Sequence, residues 1–415
     1  MSTLKKYYSL NNFVNSAFCF LPISFAIGSL IVNINIILLI FLGSRLAIVN
    51  KLRLNLNKID YFLILFFFFY IFSTILNIQL LGIEYVFKSL FSLRFLVLYF
   101  LVKIFLENDK IELNLFFKIC LICTSFLSVD IFMQFFYGKD LFGIPPHDGR
   151  VAGFFGSEGI AGGYIQKFFL FSFLGLFSFA EKKNYKNLLI LVFLFVHLNA
   201  IAITNNRMSL ILLVFTLIIL TIFIPSLRKI LILNFMIITC SFYFLFITND
   251  NISKHFKRIQ TDIVQLEQKE GSKKEFGSTE YKINFFKSDH GKLYMSVIQS
   301  YKSNIFFGNG YKSFRLNCSK VCSTQPHNYQ LEVLHDTGLI GFIFLSIFII
   351  FKLIIKIVKI VKRKDLNLVY YFTFLNFFIE IFPLKSTGSL FSTWSGTLAW
   401  LIIALSVYEI KKYEN

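Results

Sequence analysis

The chain has 415 residues, of which 56% are hydrophobic and 16% are charged, and its formal net charge is +19. Charged residues make up about 25% of an ordinary soluble domain, so the composition argues against a soluble enzyme. Lysine and arginine cluster between long apolar runs, and this pattern favours topology signals and contact with membrane lipids over nucleic-acid binding.

Twelve apolar runs approach the length of about 20 residues that a membrane-spanning helix needs. The runs are continuous rather than alternating, which excludes the strands of a barrel. The sequence therefore predicts an all-α protein, a polytopic transmembrane helix bundle. The predicted spans are 12–31, 33–50, 60–77, 86–105, 113–136, 158–180, 187–203, 208–224, 230–248, 337–357, 367–384 and 389–409.

Basic residues mark one side of the predicted bundle. Lys5 precedes span one, Lys51 follows span two, Arg228 follows span eight and Lys411 follows span twelve. Short loops rich in lysine and arginine stay in the cytoplasm. An even number of spans then places both termini in the cytoplasm. The basic start of the chain has no small-residue cleavage site after it, so we expect a retained first helix.

Three parts follow from this arrangement. Residues 1–248 hold spans one to nine, residues 249–336 form one long outer loop, and residues 337–415 hold spans ten to twelve. Within the loop, residues 291–307 have apolar side chains at helical spacing. This stretch predicts an amphipathic helix against the membrane surface or the bundle.

Two short patterns in the long loop are suited to chemistry at an anionic substrate. Pro326-His327-Asn328 stands directly before an apolar run, and histidine can transfer protons near neutral pH. Its structural alternative is a histidine that caps a helix or anchors at the interface. The Gly308-x-Gly310 pattern can bring backbone N–H groups close to an anion, or can simply mark a turn.

Together these patterns resemble the O-antigen ligase and polymerase superfamily of bacterial membrane glycosyltransferases. The likeness also includes the twelve-span plan with its long loop between spans nine and ten. The matching residues are Gly308, Gly310 and Phe314, then Pro326, His327 and Asn328, then Leu334, Gly338, Leu339, Ile340 and Gly341. Weaker likenesses are Gly149 to Gly156, Gly162-Gly163-Tyr164 and Asn206 to Ser209.

The chain also departs from that family. Gln325 stands where many members carry a second histidine, and the residues on either side of Arg207 differ from the usual Ser and Gly. An arginine of the family's long loop has no clean match. By spacing back from Gly308 it falls near His290, with Arg258 as the other candidate.

The resemblance implies transfer of a glycan from a polyprenyl diphosphate carrier to an acceptor hydroxyl, on lipid A core or a similar glycan. It implies the periplasmic face of the bacterial inner membrane, and neither a nucleotide sugar, a cofactor nor a metal. Arg207 and His327 are the expected catalytic residues, with arginine at the diphosphate and histidine at the acceptor. The expected substrate-binding residues are Arg150, Arg258, His290, Gly308, Gly310, Arg315 and Asn328. For Arg150, hydrogen bonding within its loop is the structural alternative.

Two of the six cysteines, Cys318 and Cys322, lie in the long loop. If that loop faces the periplasm, the compartment permits a disulfide between them. Zinc would need two further ligands at suitable spacing, which the sequence lacks.

Two other functions remain open. A polymerase of the same superfamily would differ only in its acceptor, which would be another lipid-linked glycan. A secondary transporter or flippase would use charged groups at mid-membrane, such as Glu380 or His197. Glu380 and Lys385 are close enough in sequence to pair, and an isolated buried histidine is typical of packing.

Overall fold

The structure is a computed structural model that describes residues 10–180, 184–250, 252–254, 256–257, 264–266, 281–283, 288–317, 323–362 and 368–412. The helices of the first half are α1 Leu10–Cys19, α2 Leu21–Ile27, α3 Ser29–Val49, α4 Lys58–Leu76, α5 Ile78–Leu81, α6 Ile83–Phe91, α7 Leu93–Glu107, α8 Leu113–Tyr137 and α9 Ala161–Ala180. Those of the second half are α10 Lys186–Ile203, α11 Arg207–Phe223, α12 Pro225–Thr248, α13 Asp289–Tyr301, α14 Phe314–Asn317, α15 Tyr329–Lys362, α16 Leu368–Glu380 and α17 Thr393–Lys412. Two short antiparallel strands, β1 Val264–Leu266 and β2 Tyr281–Ile283, pair within the long loop.

Each predicted span coincides with a helix. Eight helices in the described part of the chain are long and apolar enough to cross a membrane, and the bent pair α1 and α2 makes a ninth. Three shorter apolar helices, α11, α16 and the first part of α17, occupy the remaining predicted spans. The multi-pass, all-α bundle is therefore confirmed, and the count of twelve spans stays a prediction, as do the domain boundaries.

Burial orders the helices around one centre. Helix α9 is 78% buried over its apolar window, whereas α12 is only 11% buried. The inner helix therefore packs against protein on all sides, and the outer one presents its apolar surface to lipid. Phenylalanine fills the centre: Phe173 of α9 lies 5.5 Å from Phe193 of α10 and 5.3 Å from Phe372 of α16, measured between ring centroids.

Ionic contacts close the end of the bundle where α4 begins. The Asp60 carboxylate accepts a hydrogen bond from Lys103 and another, of 2.8 Å, from the Tyr99 hydroxyl. Lys352 of α15 lies 4.0 Å away. All four side chains are buried, so their polar groups are satisfied inside the protein rather than exposed to lipid.

At the opposite end, residues 381–392 run between α16 and α17 without helical structure. Half of the residues in this stretch are buried, including Lys385, Thr387, Ser389 and Phe391. We call residues 381–392 the connecting segment.

The tenth predicted span differs from the observed helix at its start. Helix α15 begins at Tyr329 and is broken at Gly338, where φ is 63° and ψ is −166°. The break occurs because the chain passes very close to Gly308: a Cβ on Gly338 would lie 2.4 Å from the Phe306 carbonyl oxygen. The predicted amphipathic helix is α13, which ends at Tyr301 and packs on α15 through Leu293 and Val297.

Candidate functional site

The loop after α8 is fixed by two side chains of that helix. Asp130 accepts hydrogen bonds from the backbone N–H groups of Leu141 and Phe154, each 2.7 Å long. Gln134 accepts from the N–H groups of Ala152 and Gly153 at 2.8 and 2.9 Å. These anchors hold the stretch that carries Arg150 at the mouth of the bundle.

A cavity of about 430 Å³ opens beside this loop, and Arg150, Lys254 and Asn205 are among the residues that line it. His147 and Asp148 also line the cavity. The His147 Nδ1 lies 3.3 Å from an Asp148 carboxylate oxygen, so the imidazole ring is the partner of this carboxylate. Two basic side chains therefore face one concave, polar site. Lys254 had no sequence motif to mark it.

Arg207 begins α11 next to the same cavity. The turn before it is locked onto α9, since a Cβ on Gly162 would lie 2.4 Å from the Thr204 hydroxyl oxygen. Asn206 caps the helix and accepts a hydrogen bond from the Ser209 N–H at 3.3 Å. The positive end of the helix dipole therefore lies at the side of the cavity that Asn205 forms, which favours an anion there.

His327 is held by the connecting segment. Its carbonyl oxygen accepts a hydrogen bond of 2.9 Å from the Thr387 N–H, and its Nδ1 lies 3.3 Å from the Thr387 carbonyl oxygen. A carbonyl oxygen only accepts, so Nδ1 donates and Nε2 carries the lone pair of the neutral ring. Ser323 is 3.4 Å from that Nε2.

The predicted neighbours of His327 have different roles. His290 on α13 lies with its ring centroid 6.3 Å from that of His327, and the two rings are perpendicular. Asn328 caps α15: its side-chain oxygen accepts from the Leu331 N–H at 3.0 Å, and its amide donates to the Pro383 carbonyl at 2.6 Å. Asn328 therefore fixes the backbone next to His327, and the His290 ring packs beside the His327 ring.

The Gly308-x-Gly310 turn is tied to the break in α15. The N–H groups of Asn309 and Gly310 donate to the carbonyls of His335 and Asp336, both at 2.9 Å. A Cβ on Gly308 would lie 2.3 Å from the Gly338 nitrogen, and φ is 73° there. These N–H groups are occupied by protein acceptors, so the structure gives the two glycines a packing role.

Further basic side chains follow this turn. Lys312 is half-buried, and its ammonium is 3.3 Å from the Phe391 carbonyl oxygen of the connecting segment. Burial lowers the pKa of Lys312, while Glu332 and Asp336 act in the opposite direction. The Arg315 guanidinium lies 5.9 Å from the centre of the Tyr85 ring.

Buried charges link the Arg207 side of the site to the His327 side. Glu380 accepts hydrogen bonds from Lys167 at 2.7 Å, from Lys385 at 2.6 Å and from the Tyr329 hydroxyl at 2.9 Å. Lys167 is one helical turn beyond Gly163, which packs near Asn206 and Ser209, and Tyr329 is two residues beyond His327. The predicted Glu380 and Lys385 pair is confirmed, with Lys167 as a second cation.

Backbone strain collects at the same end. Four residues other than glycine have positive φ there: Asp148 at 48°, Asn205 at 57°, Lys312 at 47° and His327 at 55°. Such conformations cost about 1–3 kcal/mol each and persist where the surrounding contacts fix them, often at functional sites.

His197, by contrast, is a packing residue. Its two ring nitrogens lie 2.8 Å from the Phe193 carbonyl and 3.1 Å from the Thr124 hydroxyl, and the side chain is buried. Of the remaining sequence candidates, Arg258, Cys318 and Cys322 lie outside the described residues. Within the described part of the chain, no three His, Cys, Asp or Glu side chains form a group that could hold a metal ion.

Comparison with known proteins agrees with the motifs. A family model described as O-antigen ligase matches residues 189–346, a range that contains Arg207, His290 and His327 but not Arg150. No curated protein sequence matches the chain. Over residues 189–346, which make up less than half of its length, this multi-pass membrane protein is similar to the O-antigen ligase family, and that likeness supports an activity of the ligase or polymerase type.

Proposed function

We propose that the protein transfers a glycan from a polyprenyl diphosphate carrier to an acceptor hydroxyl at the outer face of the bacterial inner membrane, without a metal. The observation that carries the proposal is the grouping of basic side chains at one end of the bundle. The cavity with Arg150 and Lys254, the start of α11 at Arg207 and the clamped His327 all lie at that end.

The cationic half of the site binds the donor. Breaking the bond between the sugar and the carrier leaves both bonding electrons on the diphosphate, which therefore gains negative charge. Arg150 and Lys254 face that group in the cavity, and Arg207 holds it at the helix start. Guanidinium groups bind phosphate oxygens bidentately, and preorganised donors stabilise the charge as it develops.

The histidine half activates the acceptor. The Nε2 lone pair of His327 takes the proton of the acceptor hydroxyl as its oxygen bonds to the sugar carbon. Clamping of Nδ1 by Thr387 fixes the direction of that lone pair. His290 lies beside the ring, where the family pattern expects a cationic group. The acceptor is lipid A core or a similar glycan, and in the alternative polymerase activity it is a second lipid-linked glycan.

Purified protein with a defined lipid-linked oligosaccharide tests this function. We expect transfer that is unchanged by a chelator and is lost in the Arg207→Ala, His327→Ala double variant. The Lys139→Gln variant, an exposed lysine of the same outer loop that does not line the cavity, is the control and keeps its activity. Equal transfer by the double variant and the wild type would remove the proposal.

A deletion strain separates the two acceptors. If the protein is a ligase, lipid-linked polymer accumulates and the lipid A core carries no repeats. If the protein is a polymerase, single repeats still reach the core and long chains are missing. In the deletion strain, the wild-type gene should restore the normal surface glycan and the His327→Ala gene should not. That difference would show that the glycan defect comes from loss of the site.

A further inference from the structure

A second cleft lies at the end of the bundle opposite His327. Its volume is about 610 Å³, and it opens where α11 ends and α12 begins. Helix α11 has 17 residues and runs from Arg207 at the outer site to Phe223 at this cleft. At a rise of about 1.5 Å per residue, the two sites are roughly 25 Å apart. The cleft therefore belongs to the other leaflet of the membrane.

The deep part of the cleft is apolar. Phe117 of α8 and Leu174 of α9 form its floor and are buried, and Phe177 and Val369 add to its sides. Phe223 lies at the edge and is 49% exposed. This apolar lining is suited to the hydrocarbon of a lipid. An acyl chain can enter the cleft past the exposed edge at Phe223.

The rim of the cleft is polar and basic. Lys186 is half-buried, and its ammonium lies 4.6 Å from the centre of the Phe177 ring. Asn114, Ser178 and Ser226 complete the rim with groups that donate hydrogen bonds. Of the described lining residues, none carries a negative charge. A ligand with one anionic head and an apolar tail matches this division.

Two helix starts add to the positive potential at the rim. Helices α10 and α12 begin beside Lys186 and Ser226, and neither has a side-chain hydrogen bond that caps its first turn, whereas the exposed Glu112 precedes α8 beside Asn114. The first N–H groups of a helix lack partners within the helix, and the dipole there attracts anions. Arg228 and Lys229, both exposed, follow in the first turn of α12.

We propose that this cleft binds an anionic phospholipid of the leaflet opposite the glycan-transfer site. The phosphate lies at the rim against Lys186, and the upper part of an acyl chain fills the apolar floor. The membrane supplies this ligand in excess, and charge complementarity selects anionic over zwitterionic headgroups. The site is separate from the transfer site and does not depend on the activity assigned there.

Native mass spectrometry of the full-length, delipidated protein tests the site with two probes, dioleoylphosphatidylglycerol and dioleoylphosphatidylcholine. A basic residue near an anionic surface contributes about 1 kcal/mol, so Lys186→Gln should weaken phosphatidylglycerol binding about fivefold. Binding of phosphatidylcholine should stay unchanged. The matched control is Lys118→Gln, an exposed lysine at the same end of the bundle outside the cleft.

A second variant keeps the test independent of one side chain. Ser226→Glu places a negative charge at the rim and should reduce phosphatidylglycerol binding at least as much, with thermal unfolding as the check that the variant is folded. Wild-type selectivity in both variants would overturn the proposal. Equal loss in Lys118→Gln and Lys186→Gln would also overturn it, since it would show surface charge acting without a site.

Discussion

His327 and Thr387 are joined by two hydrogen bonds, one from the Thr387 N–H to the His327 carbonyl and one between the His327 ring and the Thr387 carbonyl. The two residues are 60 positions apart. The orientation of the histidine is therefore set by the connecting segment after α16. Changes in that segment should alter the chemistry without touching the histidine.

Thr387→Pro tests this relationship. Proline lacks the N–H that donates to His327 but keeps the carbonyl that accepts from its ring. We expect a loss of about 0.5–1.5 kcal/mol of stability. We also expect transfer to fall by at least about tenfold, because small displacements of a reacting group are costly. Thr387→Ala keeps both backbone groups and should transfer nearly as wild type. Equal activities of the two variants would contradict the clamp.

The donor cavity makes a different prediction. Arg150→Gln and Lys254→Gln each remove one positive charge from the cavity, and each should raise the KM for the lipid-linked donor by about fivefold to tenfold. Because the acceptor is activated elsewhere, the KM for the acceptor should not change. Steady-state kinetics with varied donor check this, with Lys139→Gln as the control. A rise confined to the acceptor KM would assign these residues to the other half of the site.

The contact between two glycines predicts a stability effect. Gly308→Ala must move the backbone at Gly338 and adopt a left-handed conformation, so the free energy of unfolding should fall by more than about 2 kcal/mol. Gly143→Ala shares the positive φ, 83°, but has open space around it. It isolates the cost of the backbone conformation alone. Equal losses in thermal unfolding would show that the close contact contributes nothing.

Lys385 predicts a dependence of stability on pH. Burial lowers the pKa of Lys385 to about 8, whereas a lysine in an unfolded chain has a pKa of about 10.4. Between these values the unfolded chain binds a proton that the folded chain does not, so the contribution of Lys385 to stability rises with pH. From about pH 7.5 to about pH 9.5 the wild type should gain thermal stability relative to Lys385→Met. Parallel melting curves across that range would contradict this pKa.

The bundle could be predicted from the sequence because a helix that crosses the hydrocarbon core of a membrane needs a long run of apolar residues. Long apolar runs have few structural alternatives, and each predicted span coincided with a helix. The helix boundaries were less predictable. The start of α15 at Tyr329 depends on the Asn328 cap, and its break depends on contact between Gly308 and Gly338. No local pattern encodes contacts between residues that far apart.

The candidate site was predictable only in part. The motif around His327 pointed to that residue, and the structure places the predicted His290 beside it. No sequence pattern marked the connecting segment, because most of its residues were assigned to the ends of the last two predicted spans. Lys254 was also missed, because a single exposed lysine in a basic loop becomes distinctive only when folding brings it to the same cavity as Arg150.

Single-turnover transfer by His327→Gln, at saturating lipid-linked donor, tests the central claim most directly. Glutamine keeps a polar side chain but cannot take the proton, so the rate should fall by about 10²–10⁴-fold. Donor binding, measured on the same preparation, should remain at the wild-type level. A rate within about threefold of wild type, with the donor bound normally, would contradict a role for His327 in activating the acceptor.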